Sequence, residues 1–138
     1  MTTARELMST DVQTARSSDS ILEVARKMAE ADIGALPICG EDGKLKGMLT
    51  DRDIVVKVVA QRKDPLSVHA GELAEGVPVV VQADDDVTAA LTAMAQHRVR
   101  RIPVLEHERL VGIIAQADLA RELDHKQSAG VVEAVSED

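Results

Sequence analysis

Leu45-Lys46-Gly47-Met48-Leu49-Thr50-Asp51-Arg52-Asp53 returns later in the chain as Leu110-Val111-Gly112-Ile113-Ile114-Ala115-Gln116-Ala117-Asp118, with leucine, glycine and aspartate at matching places. An apolar run that ends in a polar, helix-starting stretch reads as a strand handing over to a helix. Upstream, Leu36-Pro37-Ile38 is matched by Ile102-Pro103-Val104, and the pairs Glu6/Glu72, Leu7/Leu73, Asp19/Asp85 and Met28/Met94 keep an offset of 66 residues. From Leu45/Leu110 onward the offset is 65, so one residue is lost in the intervening turn. Self-similarity over nearly the whole length means two copies of one supersecondary unit.

Each copy predicts the same elements. Ser20-Ile21-Leu22-Glu23 has the form of a capping box and is followed by Val24, Ala25 and Met28 on one helical face. In the second copy Asp84 to Asp86 can cap, and Val87, Ala90, Leu91 and Met94 form the face. Ala35 to Cys39 and Leu45 to Leu49 read as a hairpin around Gly40-Glu41-Asp42-Gly43, as do Arg101 to Leu105 and Leu110 to Ile114 around Glu106 to Arg109. A second helix follows, about Asp51 to Ala60 and Ala117 to Leu123, and short strands are expected near Val12 to Ala15 and Val79 to Gln82. The order is β-α-β-β-α, twice: an α+β fold. Proline cannot donate to a ladder, so Pro37 and Pro103 are expected at an edge or a strand end. The expected boundaries are a first repeat over 1–60 with its N-terminal segment, a linker at 61–70, a second repeat over 71–125 and a loosely held tail over 126–138. Units this small bury little alone, which predicts that they pack sheet to sheet.

Composition narrows the function. The 138 residues include no Phe, Trp or Tyr, so the core is aliphatic and the stacking platforms of single-strand binders are missing. A formal charge of −8 repels a phosphate backbone. Nucleic acid is therefore not an expected partner. Cys39 is the single cysteine, which fits a reducing compartment; with no apolar stretch of signal or membrane-spanning length, a cytoplasmic location is expected. No histidine pair has ligand spacing among His69, His97, His107 and His125, and no nucleophile constellation can be built around Cys39, so neither a metal site nor an enzyme is expected.

The segment Gly47 to Ile54, together with Leu36-Pro37-Ile38 and Arg101-Ile102-Pro103-Val104, resembles the signature and proline motifs of cystathionine-β-synthase (CBS) domains, in the right order and twice over, from about Ala4 to Leu123. The resemblance implies a pseudo-twofold pair of repeats with two clefts between them, usually assembled as a homodimer. It further implies regulatory adenosine ligands such as AMP, ATP or S-adenosylmethionine, with the signature Asp on the ribose hydroxyls and the Thr or Ser on ribose or phosphate. Here those positions are Asp53 and Thr50.

The chemistry suits such a ligand. Gly47 would let the strand approach it, Thr50 stands at a helix entrance whose free N–H groups favour anions, and a carboxylate three residues on can accept two hydroxyl donors. The same Thr-x-x-Asp pattern is also a capping pattern, and both uses fit. The second copy has Asp118 but Ala115 at the hydroxyl position, so the clefts are expected to be unequal. His97-Arg98-Val99-Arg100-Arg101 is a basic island in an acidic chain. In similar domains an arginine here reaches ligand phosphates, so the resemblance implies Arg100 and Arg101 as phosphate contacts, a task that planar guanidinium groups suit, with Arg52 as a further cation. Alternatively the island is a solvated face paired with Asp84 to Asp86, Glu106 or Glu108. No effector domain is expected, so the output is expected to reach an unidentified protein partner or to change the assembly state.

Overall fold

A computed structural model describes residues 2–74, 78–122 and 124; the expected tail at 126–138 lies outside them. The first unit contains β1 (Ala15–Arg16), α2 (Ile21–Ala31), β2 (Ala35–Cys39), β3 (Leu45–Thr50) and α3 (Asp51–Ile54), with a π-helical turn over Val55–Val59. The second contains β4 (Val81–Gln82), α5 (Val87–His97), β5 (Arg101–Glu106) and β6 (Arg109–Ala115), followed by helical residues 116–122. Two short helices, α1 (Ala4–Leu7) and α4 (Ala70–Leu73), precede the units in sequence. No helix among the described residues is long and apolar enough to cross a membrane.

The long helices start where their caps stand. Ser20 Oγ accepts the Glu23 N–H at 3.2 Å, and an Asp86 carboxylate oxygen accepts the Thr88 N–H at 3.0 Å. Ile21, Val24 and Met28 are buried on one face of α2, and Val87, Ala90 and Met94 on the same face of α5. Leu91, expected in that face, is 39% exposed because it sits at the rim of the stripe, as half-buried Ala25 does in the other copy. Both helices end on a residue in the left-handed region, Asp32 and Arg98, each with φ near 54°. The second helix of the first copy departs from a plain α-helix: the Ala60 N–H reaches back to the Val55 carbonyl at 2.8 Å. That stretch is rich in valines, whose branched side chains crowd a regular helical turn.

Each sheet has three strands, in the orders β1-β2-β3 and β4-β5-β6, with the outer short strand parallel and the hairpin antiparallel. Pro37 and Pro103 thus lie in central strands and at neither the edge nor the end that their chemistry suggests. They are tolerated because β1 pairs only with Ile38 and Cys39, and β4 only with Val104 and Leu105. At each proline the strand has a neighbour on one side alone. The buried residues form two clusters, one per unit, centred on Ile21, Leu36, Ile38 and Leu49 and on Ile102, Val104, Ile114 and Leu119. The sheets touch where Lys44 bridges to Arg109.

Packing crosses the order of the chain. The Ala4 N–H donates to the Asp85 carbonyl (2.8 Å) and the Arg5 N–H to Ala83 (2.9 Å), so α1 docks on the second unit. The Ala70 N–H donates to Asp19 (2.8 Å) and Gly71 to Ser17 (2.9 Å), so α4 docks on the first. The N-terminal segment grouped by sequence with repeat 1, and the stretch across the expected linker–repeat boundary at 70/71, therefore each serve the other unit. Ser9 exchanges two backbone hydrogen bonds with Ile113, at 2.9 and 3.0 Å. Arg5 adds ion pairs to Glu106 (2.7 Å) and Asp84 (3.4 Å).

Candidate functional site

Thr50 closes β3 and opens α3. Its hydroxyl accepts the Asp53 N–H at 3.1 Å, and an Asp53 carboxylate oxygen accepts the Thr50 N–H at 3.0 Å. Both halves of a capping box are therefore present. The other Asp53 oxygen lies 3.6 Å from the Lys57 ammonium. In the second copy Asp118 accepts the Ala115 N–H at 3.3 Å and pairs with Arg121, but Ala115 has no hydroxyl to return the bond. The asymmetry read from the sequence is a missing half-cap.

Beside Thr50 a hollow of about 580 Å³ opens between the units. That falls in the range of small-molecule sites, roughly 300–1,000 Å³. Its walls are Gly34 and Ala35 at the start of β2, Met48 and Thr50 on β3, Asp51 and Arg52 on α3, and Arg98 to Arg101 from the connection into β5. The Asp51 N–H donates to the Gly34 carbonyl at 2.9 Å, which ties the strand start to the helix entrance. A side chain at position 34 would crowd the Asp51 carboxylate at 3.1 Å.

Among the residues expected from sequence, Thr50, Arg52, Arg100 and Arg101 come together here. Gly47, Asp53 and Asp118 do not line the hollow. A Cβ at Gly47 would stand 3.1 Å from both the Cβ and the carbonyl of Ala74, so the chain's own crossed segment makes a close approach there. Gly112 plays the same part for Met8. Met48 and Asp51 lie in the signature stretch and Val99 in the basic island without being expected as site residues, and for Gly34 and Ala35 the recurrence of Pro37 just downstream is the signal that points to that strand start.

The basic island does not pair as the solvated-face alternative expected. Asp84 and Glu106 are taken by Arg5, Glu108 pairs with Lys44 at 3.0 Å, and Asp85 accepts the Gln82 N–H. Among the described residues Arg52, Arg98, Arg100 and Arg101 make no ion pair, and Asp51 is the single acid in the wall. Cys39 stands apart in a separate hollow near Thr14 and Leu110; burial, and then Asp42, push its thiol above the ordinary range, which disfavours a nucleophilic thiolate. No three His, Cys, Asp or Glu side chains gather as a metal ion would need among the described residues.

The CBS domain profile matches residues 4–60 and 62–125. Over 135 residues the chain is 45% identical to Hypoxic response protein 1 of Mycobacterium tuberculosis (strain ATCC 25618 / H37Rv), covering 98% of this chain and 94% of that protein. It is similar to the crystal structure of Hypoxic Response Protein I with two coordinated zinc ions, with a TM-score of 0.82 and 48% identity over 87% of this chain and 98% of that one. It is also similar to the CBS domain pair of protein MJ0100 in complex with 5′-methylthioadenosine and S-adenosyl-L-methionine, with a TM-score of 0.78 and 30% identity over 91% of this chain and 98% of that one.

Proposed function

This chain belongs to the CBS domain family, and from that premise we propose that it is a regulatory module whose hollow between repeats takes an adenosine-containing ligand of the AMP, ATP or S-adenosylmethionine kind. The observation that carries the reading is the hollow itself: one hydroxyl at a helix entrance, four cations without acidic partners and aliphatic side chains, in a space large enough for a nucleotide. A structural neighbour holding two adenosine compounds supports it.

In this reading Thr50 touches the ligand's sugar or phosphate, Arg52, Arg100 and Arg101 meet its anionic end, and Asp53 positions Thr50 through the cap. Asp53 reaches a ribose only by yielding its bond to the Thr50 N–H. The protein is a cytoplasmic homodimer rather than an enzyme, and hands its signal to a protein partner. Exposed Val55, Val56 and Val59 on the second helix are the apolar surface on which two copies would meet. A ligand shifts the balance of shapes or assemblies only by its differential affinity for them.

The competing reading is an interaction protein that binds no nucleotide. Its support is the closed Thr50–Asp53 cap, which satisfies both candidate ligand groups without any ligand. Because the chain lacks Trp, Tyr and Phe, an adenine absorption band in the purified protein reports a retained nucleotide directly. Calorimetric titration with AMP, ATP and S-adenosylmethionine completes the test: heat with one or more of them is expected, and none with any of them removes the nucleotide reading.

A further inference from the structure

The charge of the hollow belongs almost wholly to one repeat. Under the offset of 66 residues, Arg98, Arg100 and Arg101 stand where the first copy has Asp32, Gly34 and Ala35. The backbone is the same at the first of these pairs: Asp32 and Arg98 both terminate their helices at φ 54°. Aspartate tolerates the left-handed region comparatively well, whereas a long side chain such as arginine is strained there.

Four arginines and one aspartate line the same 580 Å³, a surplus of three positive residues in a protein whose formal charge is −8. The acidic groups nearest in sequence are already engaged by Arg5 and Lys44. Resting on the nucleotide reading above, we propose that the hollow selects a polyphosphate: a nucleoside triphosphate rather than a monophosphate, an uncharged nucleoside or a sulfonium compound. A triphosphate matches the surplus, a monophosphate leaves part of it unpaired, and a sulfonium cation meets like charge. Planar guanidinium forks suit oxygens on successive phosphates. Arg98, Arg100 and Arg101 are thus specificity-determining residues, and the ligand class differs from the methylthioadenosine and S-adenosylmethionine held by the MJ0100 pair.

The test compares ATP without divalent cation, AMP, adenosine, S-adenosylmethionine and inorganic tripolyphosphate by calorimetry on the whole chain. ATP is expected to bind at least about tenfold more tightly than AMP, since one further charge-assisted contact supplies that factor. S-adenosylmethionine should bind no better than adenosine, and rising salt should weaken ATP while leaving adenosine unchanged. Arg98→Gly relieves the left-handed strain, so it should melt no lower than the parent while binding ATP about tenfold more weakly. Those opposite movements cannot come from misfolding. Adenosine, AMP or S-adenosylmethionine binding as tightly as ATP overturns the polyphosphate assignment and leaves the adenosine reading standing. Tripolyphosphate binding while no adenine compound does keeps the anion seat and removes the adenosine reading. Silence from all five ligands overturns both.

Discussion

Replacing Thr50 by alanine removes the acceptor of the 3.1 Å bond from the Asp53 N–H, at the first turn of α3. Loss of a threonine N-cap costs about 1 kcal/mol. For a chain of this size that is a fall in melting temperature of about 3–5 °C. The second repeat allows the reverse experiment. Asp118 already accepts the Ala115 N–H at 3.3 Å, so Ala115→Thr supplies the missing hydroxyl, together with the γ-methyl that Thr50 also carries, and should raise the melting temperature by a similar amount. The sites lie in different units, so the double variant should return close to the parent. Thermal unfolding is followed by far-ultraviolet circular dichroism at one protein concentration, because assembly alters apparent stability. The reasoning is refuted if Thr50→Ala leaves the curve in place, or if Ala115→Thr lowers it as far as Thr50→Ala does.

Gly112→Ala would drive a Cβ against the Met8 sulfur and set it 2.9 Å from the Met8 Cβ. It should destabilise the chain by about 1–3 kcal/mol, with faster amide exchange at Ser9 than at the Ile38–Gly47 pairing. Val59 is 65% exposed, so Val59→Glu should leave folding intact by circular dichroism while lowering the molar mass measured by light scattering. An unchanged mass would place the dimer contact elsewhere. The Cys39 thiol, held above the ordinary range by burial and by Asp42, should react with iodoacetamide more slowly than a free cysteine at mildly alkaline pH. Its rate should rise only as pH climbs through the raised value; a rate equal to that of a model thiol contradicts this.

Local signals were legible and tertiary ones were not. Ser20 and Asp86 announced their helices because a cap needs only residues within one turn, and the hairpins followed from apolar runs around polar turns. Thr50 and Asp53 were legible as a pair, yet their two uses share one spacing, so only coordinates could show the cap closed and the carboxylate outside the hollow. Pro37 misled because the length of β1, two residues, leaves no trace in β2. The partners of the basic island were misassigned for a similar reason: Asp84 and Glu106 were candidates by proximity in sequence, and Arg5 reaches them from the far end of the chain. The approach of Ala74 to Gly47, from beyond the linker, is invisible to a reading of β3 alone.

The exchange of α1 and α4 between the units bears on any attempt to dissect the protein. A fragment ending before Ala70 would keep the first sheet but lose the helix that seals it, while carrying a clasp with nothing to fasten. The complementary fragment would have the opposite defect. Mixed together, the two pieces should rebuild a structured complex that neither forms alone, so the duplicated halves behave as one interlocked object although each has an interior of its own.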